Sequence, residues 1–330
     1  MGIKCLNRYL KENCPQSIKC LKMSEISYKK IVVDISIYLY KYEIENALLE
    51  NMFVMLSVFR YYNIIPIFIF DGKPPPEKKA LLQKRKNDKE MAQKEYNELN
   101  ELLTSPKDED KDLNESEKQE IMDTMNKLKK RFVQISKDKI EKVKSLIRAY
   151  GATYYDAPGE ADELCALLVI KKKVWACLSE DMDLFVYGCT RVLRYLSLFS
   201  HTVVIYYVKG IYNELKMTDK EFKEICILSG TDYNFNIDNN IQKINLKLTI
   251  KHFNKFKESD ESKNMKFYDW LLINTNYISD IDLLNKINNM FNLDCNHEKL
   301  DIFNNIKIVN GQIRQDEVEN IMKHEDFIFL

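Results

Sequence analysis

A mostly parallel, twisted α/β sheet flanked by helices is the fold this sequence predicts, and three observations carry it. Short apolar runs recur over residues 31–40, 64–70 and 174–178. Each reaches a carboxylate as it ends: Asp34 lies inside the first, Asp71 follows the second, and Asp181 and Asp183 follow the third. Helix-forming stretches such as 43–62 and 137–150 lie between the runs. Strands without polar alternation are buried on both faces, which suits a sheet with crossover helices. Function in such sheets sits just beyond the carboxyl ends of the strands.

Residues 78–148 have a different texture. Lys78–Lys94 holds seven basic and two acidic residues, 108–123 two basic and eight acidic, and 127–148 nine basic and two acidic. Helix formers dominate Met91–Leu103 and Gln119–Phe132, and 104–116 reads as an exposed loop. A solvated hairpin laced with salt bridges accounts for such charge runs. A phosphate-contacting arch accounts for them equally, and the position directly after a carboxylate-bearing strand end favours the arch. The expected organisation is an α/β core of residues 1–77 and 149–235, the insertion 78–148, and a helical region over 236–330.

Composition narrows the function classes. The 330 residues carry 50 Lys and Arg against 50 Asp and Glu, so no basic surplus announces nucleic acid. The longest apolar stretch, Ile64–Phe70, is too short to cross a bilayer, and no membrane span or signal peptide is expected. The eight cysteines form no C-x-x-C pair. Cys295 and His297 lack a second half for zinc, so reduced thiols buried as small apolar groups are expected. That reading suits an intracellular protein.

Seven acids stand at punctuated positions: Asp34, Asp71, Glu160, Asp162, Asp181, Asp183 and Asp232. Singly, five of them have a structural explanation, while Asp181 and Asp183, two apart, can point to one side of an extended turn. Asp34 and Asp232 suit helix caps, Asp71 suits the turn before Gly72, and Glu160 and Asp162 suit the first turn of a helix. Together they imply more. Two carboxylates about 5 Å apart repel by about 3 kcal/mol at an effective dielectric near 20. Divalent cations relieve that repulsion, and carboxylate-rich sites suit Mg²⁺ or Mn²⁺. A pair of such ions drives phosphodiester hydrolysis by activating water and stabilising the leaving oxygen. No Ser-His-Asp, Cys-His or Walker A pattern competes.

The sequence resembles the structure-specific 5′-nuclease superfamily, and within it the flap endonucleases. The matching segments are Met1–Ile3, Val33–Ser36, Phe70–Pro75, Ala157–Asp162, Ser179–Asp183 and Ser229–Tyr233, in family order over about two-thirds of the chain. The resemblance implies a PIN-like 5′-nuclease fold and two Mg²⁺ ions on all seven acids, with Mn²⁺ able to substitute. Asp162 stands where the family usually has Glu, so its shorter arm would act through water, or Glu163 would contribute instead.

The resemblance makes Lys78 and Arg85 the cations that bind and steer the scissile phosphate. Seven residues apart, they share one helix face. It makes Tyr40 a stacking platform for a substrate base, where a buried Tyr is the alternative, and puts Gly2 close to DNA at the site. The 89 positions from Asp71 to Glu160 match a helical arch for a single-stranded 5′ flap.

Two segments depart from the pattern. Residues 237–243 replace the family's Gly-rich, K⁺-binding hairpin with a glycine-free stretch that contains Asp238. Gln315–Met322 and the final residues lack a sliding-clamp box, so coupling to a clamp is not expected, and neither is an oligomer. The implied activity is a metal-dependent 5′ flap endonuclease with 5′→3′ exonuclease activity on DNA, acting in replication and repair. A related exonuclease, a junction resolvase, an RNA-processing nuclease or a non-catalytic DNA-binding scaffold are the alternatives.

Overall fold

The computed structural model describes residues 2–104, 114–234, 245–278, 280–293 and 301–323. Seven strands form one mixed sheet: β1 (Ile18–Lys22), β2 (Lys30–Asp34), β3 (Ile65–Phe70), β4 (Thr153–Asp156), β5 (Ala176–Leu178), β6 (Arg191–Ser197) and β7 (Thr202–Tyr207), in the order β1-β7-β6-β5-β2-β3-β4. The five central and right-hand strands are parallel; β7 and β1 add an antiparallel edge. The expected mostly parallel sheet is therefore present. Pro66, which lacks an N–H, is tolerated in β3 because pairing with β4 starts only at Ile67.

Successive strand residues feed two cores. Val32, Ile67, Ile69, Cys177 and Tyr206 face one core, with helices α1 (Leu6–Asn13), α7 (Ala161–Ile170), α10 (Asp219–Ser229) and α11 (Leu246–Glu258). Ile31, Val33, Phe68, Leu178 and Ile205 face the other, with α2 (Ser36–Ile44), α3 (Leu48–Tyr61) and α6 (Lys137–Ala149). The single helix expected over 43–62 is two helices. Asn46 turns left-handed at φ 53°, a conformation that Asn accepts more readily than most residues, and the chain re-enters a helix at Leu48.

The charged insertion is a pair of helices, α4 (Lys79–Thr104) and α5 (Glu115–Lys129). Ala92, Met125 and Leu128 are buried along it, and the Tyr96 and Phe132 rings meet edge-on at 5.4 Å. Its outer charges pair within the helix, Lys86 with Glu90 at 3.7 Å and Lys94 with Glu98 at 3.8 Å. The solvated hairpin laced with salt bridges describes that outer face. Most of the loop expected over 104–116 lies outside the described residues, as do the hairpin 237–243 with its K⁺ and the terminal residues 325–330.

Residues 301–323 strap back over the sheet's β4 edge. Thr153 Oγ1 meets Val309 N at 3.1 Å, and Gly311 N donates to Gly151 O at 2.8 Å. Arg60 reaches Gly311 O at 2.7 Å. Helix α15 (Gln315–Lys323) then buries Val318 and Met322 in the second core. Gly151 has φ +70°, and a Cβ there would stand 2.6 Å from Gly311 carbonyl atoms. Gly151→Ala is therefore expected to cost about 2 kcal/mol or more, through backbone strain plus displacement of the strap. Urea unfolding checks this; an unchanged midpoint would show that the strap adjusts freely.

Candidate active site

Parallel pairing brings the carboxylates to one edge of the sheet. Asp34 pairs with Ile69, Val33 with Leu178 and Phe70 with Asp156, so the segments carrying Asp34, Asp71, Glu160 and Ser179–Asp183 leave adjacent strand ends together. Asp34 is buried and accepts from Ser179 Oγ at 2.7 Å and Ser36 N at 3.3 Å. Asp71 accepts from Ser36 Oγ and from Ala161 N at 2.8 Å, so it caps the first turn of α7. Asp181 Oδ1 accepts from Asp183 N at 3.0 Å. Asp183 is only 2% exposed, and its Oδ1 has no hydrogen-bond partner.

The acids feel one another. Burial, then Asp71, pushes Asp34 up to about 7, against the opposing bond from Ser179. Burial also raises Asp162 and Asp183 well above the carboxylate range, with Asp181 the largest electrostatic contributor to each. Asp181 is raised by burial and by Asp232, opposed by its bond from Asp183 N. Asp162 responds to Asp181, Asp34, Asp183 and Asp71, so its side chain belongs to the cluster despite the shorter arm. Glu163 lines a neighbouring cleft, as does Glu160.

Two cations close the far rim. Lys78, 6% exposed, donates to Glu160 Oε1 at 2.6 Å and stands 3.5 Å from Asp232 Oδ2. Burial pulls its pKa down, but Glu160 and Asp232 more than offset this and hold it above the ordinary lysine value. Arg85 reaches Asp232 Oδ2 at 2.9 Å. Asp232 thus serves as a partner for both cations. Tyr40 is 45% exposed under Lys89, whose Nζ is 5.3 Å from the ring, so the buried alternative for it fails. Gly2 touches the cluster: a Cβ there would meet Asp183 Oδ1 at 2.5 Å and Asp181 Oδ1 at 2.7 Å.

Four positioning residues carry no role in the sequence reading. Ser36 bridges toward Asp71, and Ser179 holds Asp34. Tyr233 donates to Glu160 Oε2 at 2.6 Å, with Lys78 Nζ 5.1 Å from its ring. Arg194, 6% exposed, donates to Glu180 O at 2.9 Å and so anchors the turn bearing Asp181. Ser36, Ser179 and Tyr233 lie within the matching segments; Arg194 has no local signal.

The residues fit divalent cations by their chemistry. The donors are carboxylate oxygens, and Asp183 Oδ1 is a buried acceptor without a donor. Among the described residues, no three His, Cys, Asp or Glu side chains close tightly enough to enclose an ion directly. Mg²⁺ needs no such cage, because it keeps several waters and takes one or two carboxylates with substrate oxygens.

Comparison with known proteins identifies the class. The XPG N-terminal domain matches residues 1–92 and the XPG I-region matches 151–232. The chain belongs to the structure-specific 5′-nuclease superfamily that these regions define. Among curated relatives, flap endonuclease 1-A of Oryza sativa subsp. japonica is 33% identical over 252 residues, covering 71% of this chain and 62% of that protein. The chain thus spans about three-fifths of the length of such relatives.

Among solved structures, the catalytic core of Rad2 in complex with DNA substrate aligns over 98% of this chain and 95% of its own, with TM-score 0.65 and 20% identity. Flap endonuclease-1 from Methanococcus jannaschii aligns over 93% and 97%, with TM-score 0.54 and 18% identity. Both share the fold.

Proposed function

We propose that this chain is a divalent-metal-dependent, structure-specific 5′ flap endonuclease that hydrolyses DNA phosphodiesters, with accompanying 5′→3′ exonuclease activity. The observation that carries the reading is the gathering of acids beyond the carboxyl ends of the strands with those of α7 and the turn after α10, and Lys78 and Arg85 on their rim at the foot of a helical pair. The relationship to flap endonucleases supports it, and so does a Rad2 relative of like fold that is described with DNA substrate. Among the described residues no helix is long and apolar enough to cross a membrane.

Bound divalent ions, two Mg²⁺ or Mn²⁺ in this reading, supply an activated water and stabilise charge on the leaving oxygen. Asp34, Asp71, Asp181 and Asp183 hold them from the sheet edge, and Glu160, Asp162 and Asp232 from α7 and the turn after α10. Ser36, Ser179 and Tyr233 fix the carboxylates. Lys78 and Arg85 exchange an acid partner for the scissile phosphate and stabilise charge that develops there. Gly2 leaves room for the backbone of the substrate, and Tyr40 offers its exposed face to a base. The work of such an enzyme lies where DNA is replicated and repaired.

Lys78→Ala is expected to slow the single-turnover step by about 10²–10³-fold and Arg85→Ala by less, with binding nearly unchanged, because transition-state charge is what they meet. Rapid-quench kinetics beside fluorescence anisotropy checks this. Equal single-turnover rates would remove both from the chemistry. The function itself is tested with flap, gapped, nicked and four-way DNA, and with an RNA flap of the same sequence, in Mg²⁺ and in chelator. Preferred, Mg²⁺-dependent cutting at the flap junction is expected. Cutting confined to four-way junctions, nicks or RNA would replace the flap assignment with the matching relative.

A further inference from the structure

Asn7, in the first turn of α1, is tied to two strands far from it in sequence. Its Oδ1 accepts from Arg194 Nη1 and from the Tyr206 hydroxyl, each at 2.8 Å. Its Nδ2 donates to the Tyr195 hydroxyl at 2.5 Å. A guanidinium only donates, so the amide oxygen is the end that must face Arg194, and both its lone pairs are used. Helix α1 is thereby fastened to β6 and β7 across 187, 188 and 199 positions of chain.

Arg194 carries this hold to the acids. Beyond Asn7, its Nη1 reaches Met182 Sδ, and its Nη2 donates to Glu180 O at 2.9 Å and stands 3.3 Å from Glu180 Oε2. Glu180 Oε1 accepts from Tyr195 N at 2.5 Å, where the chain turns left-handed at φ 56°. The turn Glu180–Asp183 is thus gripped from β6. Gly2 lies against its other side, with no room for a Cβ between it and the Asp181 and Asp183 carboxylates. Gly2 is placed in turn by α1: Ile3 and Leu6 are buried in the first core, and Leu6 N donates to Ile3 O at 3.4 Å. Asn7 is common to both grips. Arg194 uses its oxygen as an acceptor, and Gly2 precedes the helix that it fastens. Asp183 Oδ1, buried and without a donor, takes its aim from the turn so held.

We infer that Asn7 is a positioning residue for the metal-binding acids: it latches α1 to β6 and β7, so that Asp181 and Asp183 keep the arrangement that takes a divalent cation. The assignment rests on the metal reading above and adds a residue that acts on the acids through Arg194 and Gly2. Groups that orient metal ligands are worth about ten- to a hundredfold in metal affinity, and acting through other residues puts Asn7 at the low end.

The test compares the full chain with Asn7→Ala, Arg194→Lys and Asn13→Ala. Lysine keeps the charge of Arg194 but not its forked reach. Asn13 is the control, an exposed amide at the other end of α1 that bonds Tyr9 O within the helix. Mg²⁺ binding is measured without DNA by calorimetric titration, and flap cleavage is followed against Mg²⁺ concentration. Asn7→Ala and Arg194→Lys are expected to raise the Mg²⁺ dissociation constant by about tenfold or more. The half-saturating Mg²⁺ for cleavage should rise in step, while the single-turnover rate of Asn7→Ala at saturating Mg²⁺ recovers to within about threefold. Asn13→Ala should match the parent within about twofold throughout. A loss of stability alone lowers the melting temperature in chelator and leaves the Mg²⁺ constant, read well below that temperature, unchanged.

A parental Mg²⁺ constant in Asn7→Ala or Arg194→Lys, an equal loss in Asn13→Ala, or a slowed Asn7→Ala rate that saturating Mg²⁺ does not recover overturns the latch. Each of these leaves the metal reading standing. A parent that binds no Mg²⁺ overturns the metal reading and the latch with it.

Discussion

Asp181→Asn is expected to reduce Mg²⁺-dependent cleavage by on the order of 10³-fold or more while leaving DNA binding within a few-fold. Asp181 is 4% exposed, and its Oδ1 accepts from Asp183 N, a bond that an asparagine Oδ1 can keep. The local backbone therefore has no reason to move. The change removes one negative charge from a cluster whose members raise one another's pKa. Metal-assisted stabilisation is worth several kcal/mol, and each 1.36 kcal/mol is tenfold in rate. Single-turnover cleavage and anisotropy on the same flap separate the two effects. A variant that cleaves at the parental rate would take Asp181, and with it the metal assignment, out of the mechanism.

The second large effect is on stability. Asp34 titrates near 7 in the folded chain because burial, then Asp71, disfavours its charge. In the unfolded chain it loses its proton near 3.9. Between those values the folded state holds a proton that the unfolded state has released, so stability falls as pH rises from about 4 to about 7 and is level above. Three units correspond to about 4 kcal/mol for this group, and Asp162, Asp181 and Asp183 shift in the same direction.

Thermal melts in chelator should therefore show a melting temperature that drops from pH 5 to pH 7.5. Mg²⁺ should restore it most at the higher pH, by about 2.7 kcal/mol at a hundred times its Kd. Asp34→Asn should flatten the drop. A melting temperature that rises across the interval in chelator would contradict the electrostatic picture of the cluster.

The site was more legible in the sequence than the sheet that carries it. Asp34 and Asp71 announced themselves because apolar runs end on them, and strand ends are where open α/β sheets keep their chemistry. Strands β1, β6 and β7 gave no comparable signal. β1 is a half-exposed edge, and β6 is broken between Arg194 and Ser197 by a register shift where Tyr195 takes φ 56°. The break between α2 and α3 depends on one left-handed residue, Asn46, which periodicity over 43–62 does not reveal.

Charge patterning located α4 and α5 but not the pairing of Lys78 with Glu160, which lie 82 positions apart. Tyr233 shows the same limit. Its hydrogen bond to Glu160 and its ring beneath Lys78 join residues that only the folded chain brings into contact.

The strap formed by residues 301–323 bears on how the protein comes into being. Arg60 meets Gly311 across 251 positions of chain, and Val318 and Met322 complete a core begun by Ile31 and Val33. Contacts of such separation form late, because the loop they close must be ordered before they return any energy. During synthesis the β4 edge and the surface under α15 stand uncovered until that segment leaves the ribosome. An exposed edge of this kind invites pairing with other chains. Docking of the strap therefore also ends the period in which that edge stands open to other chains.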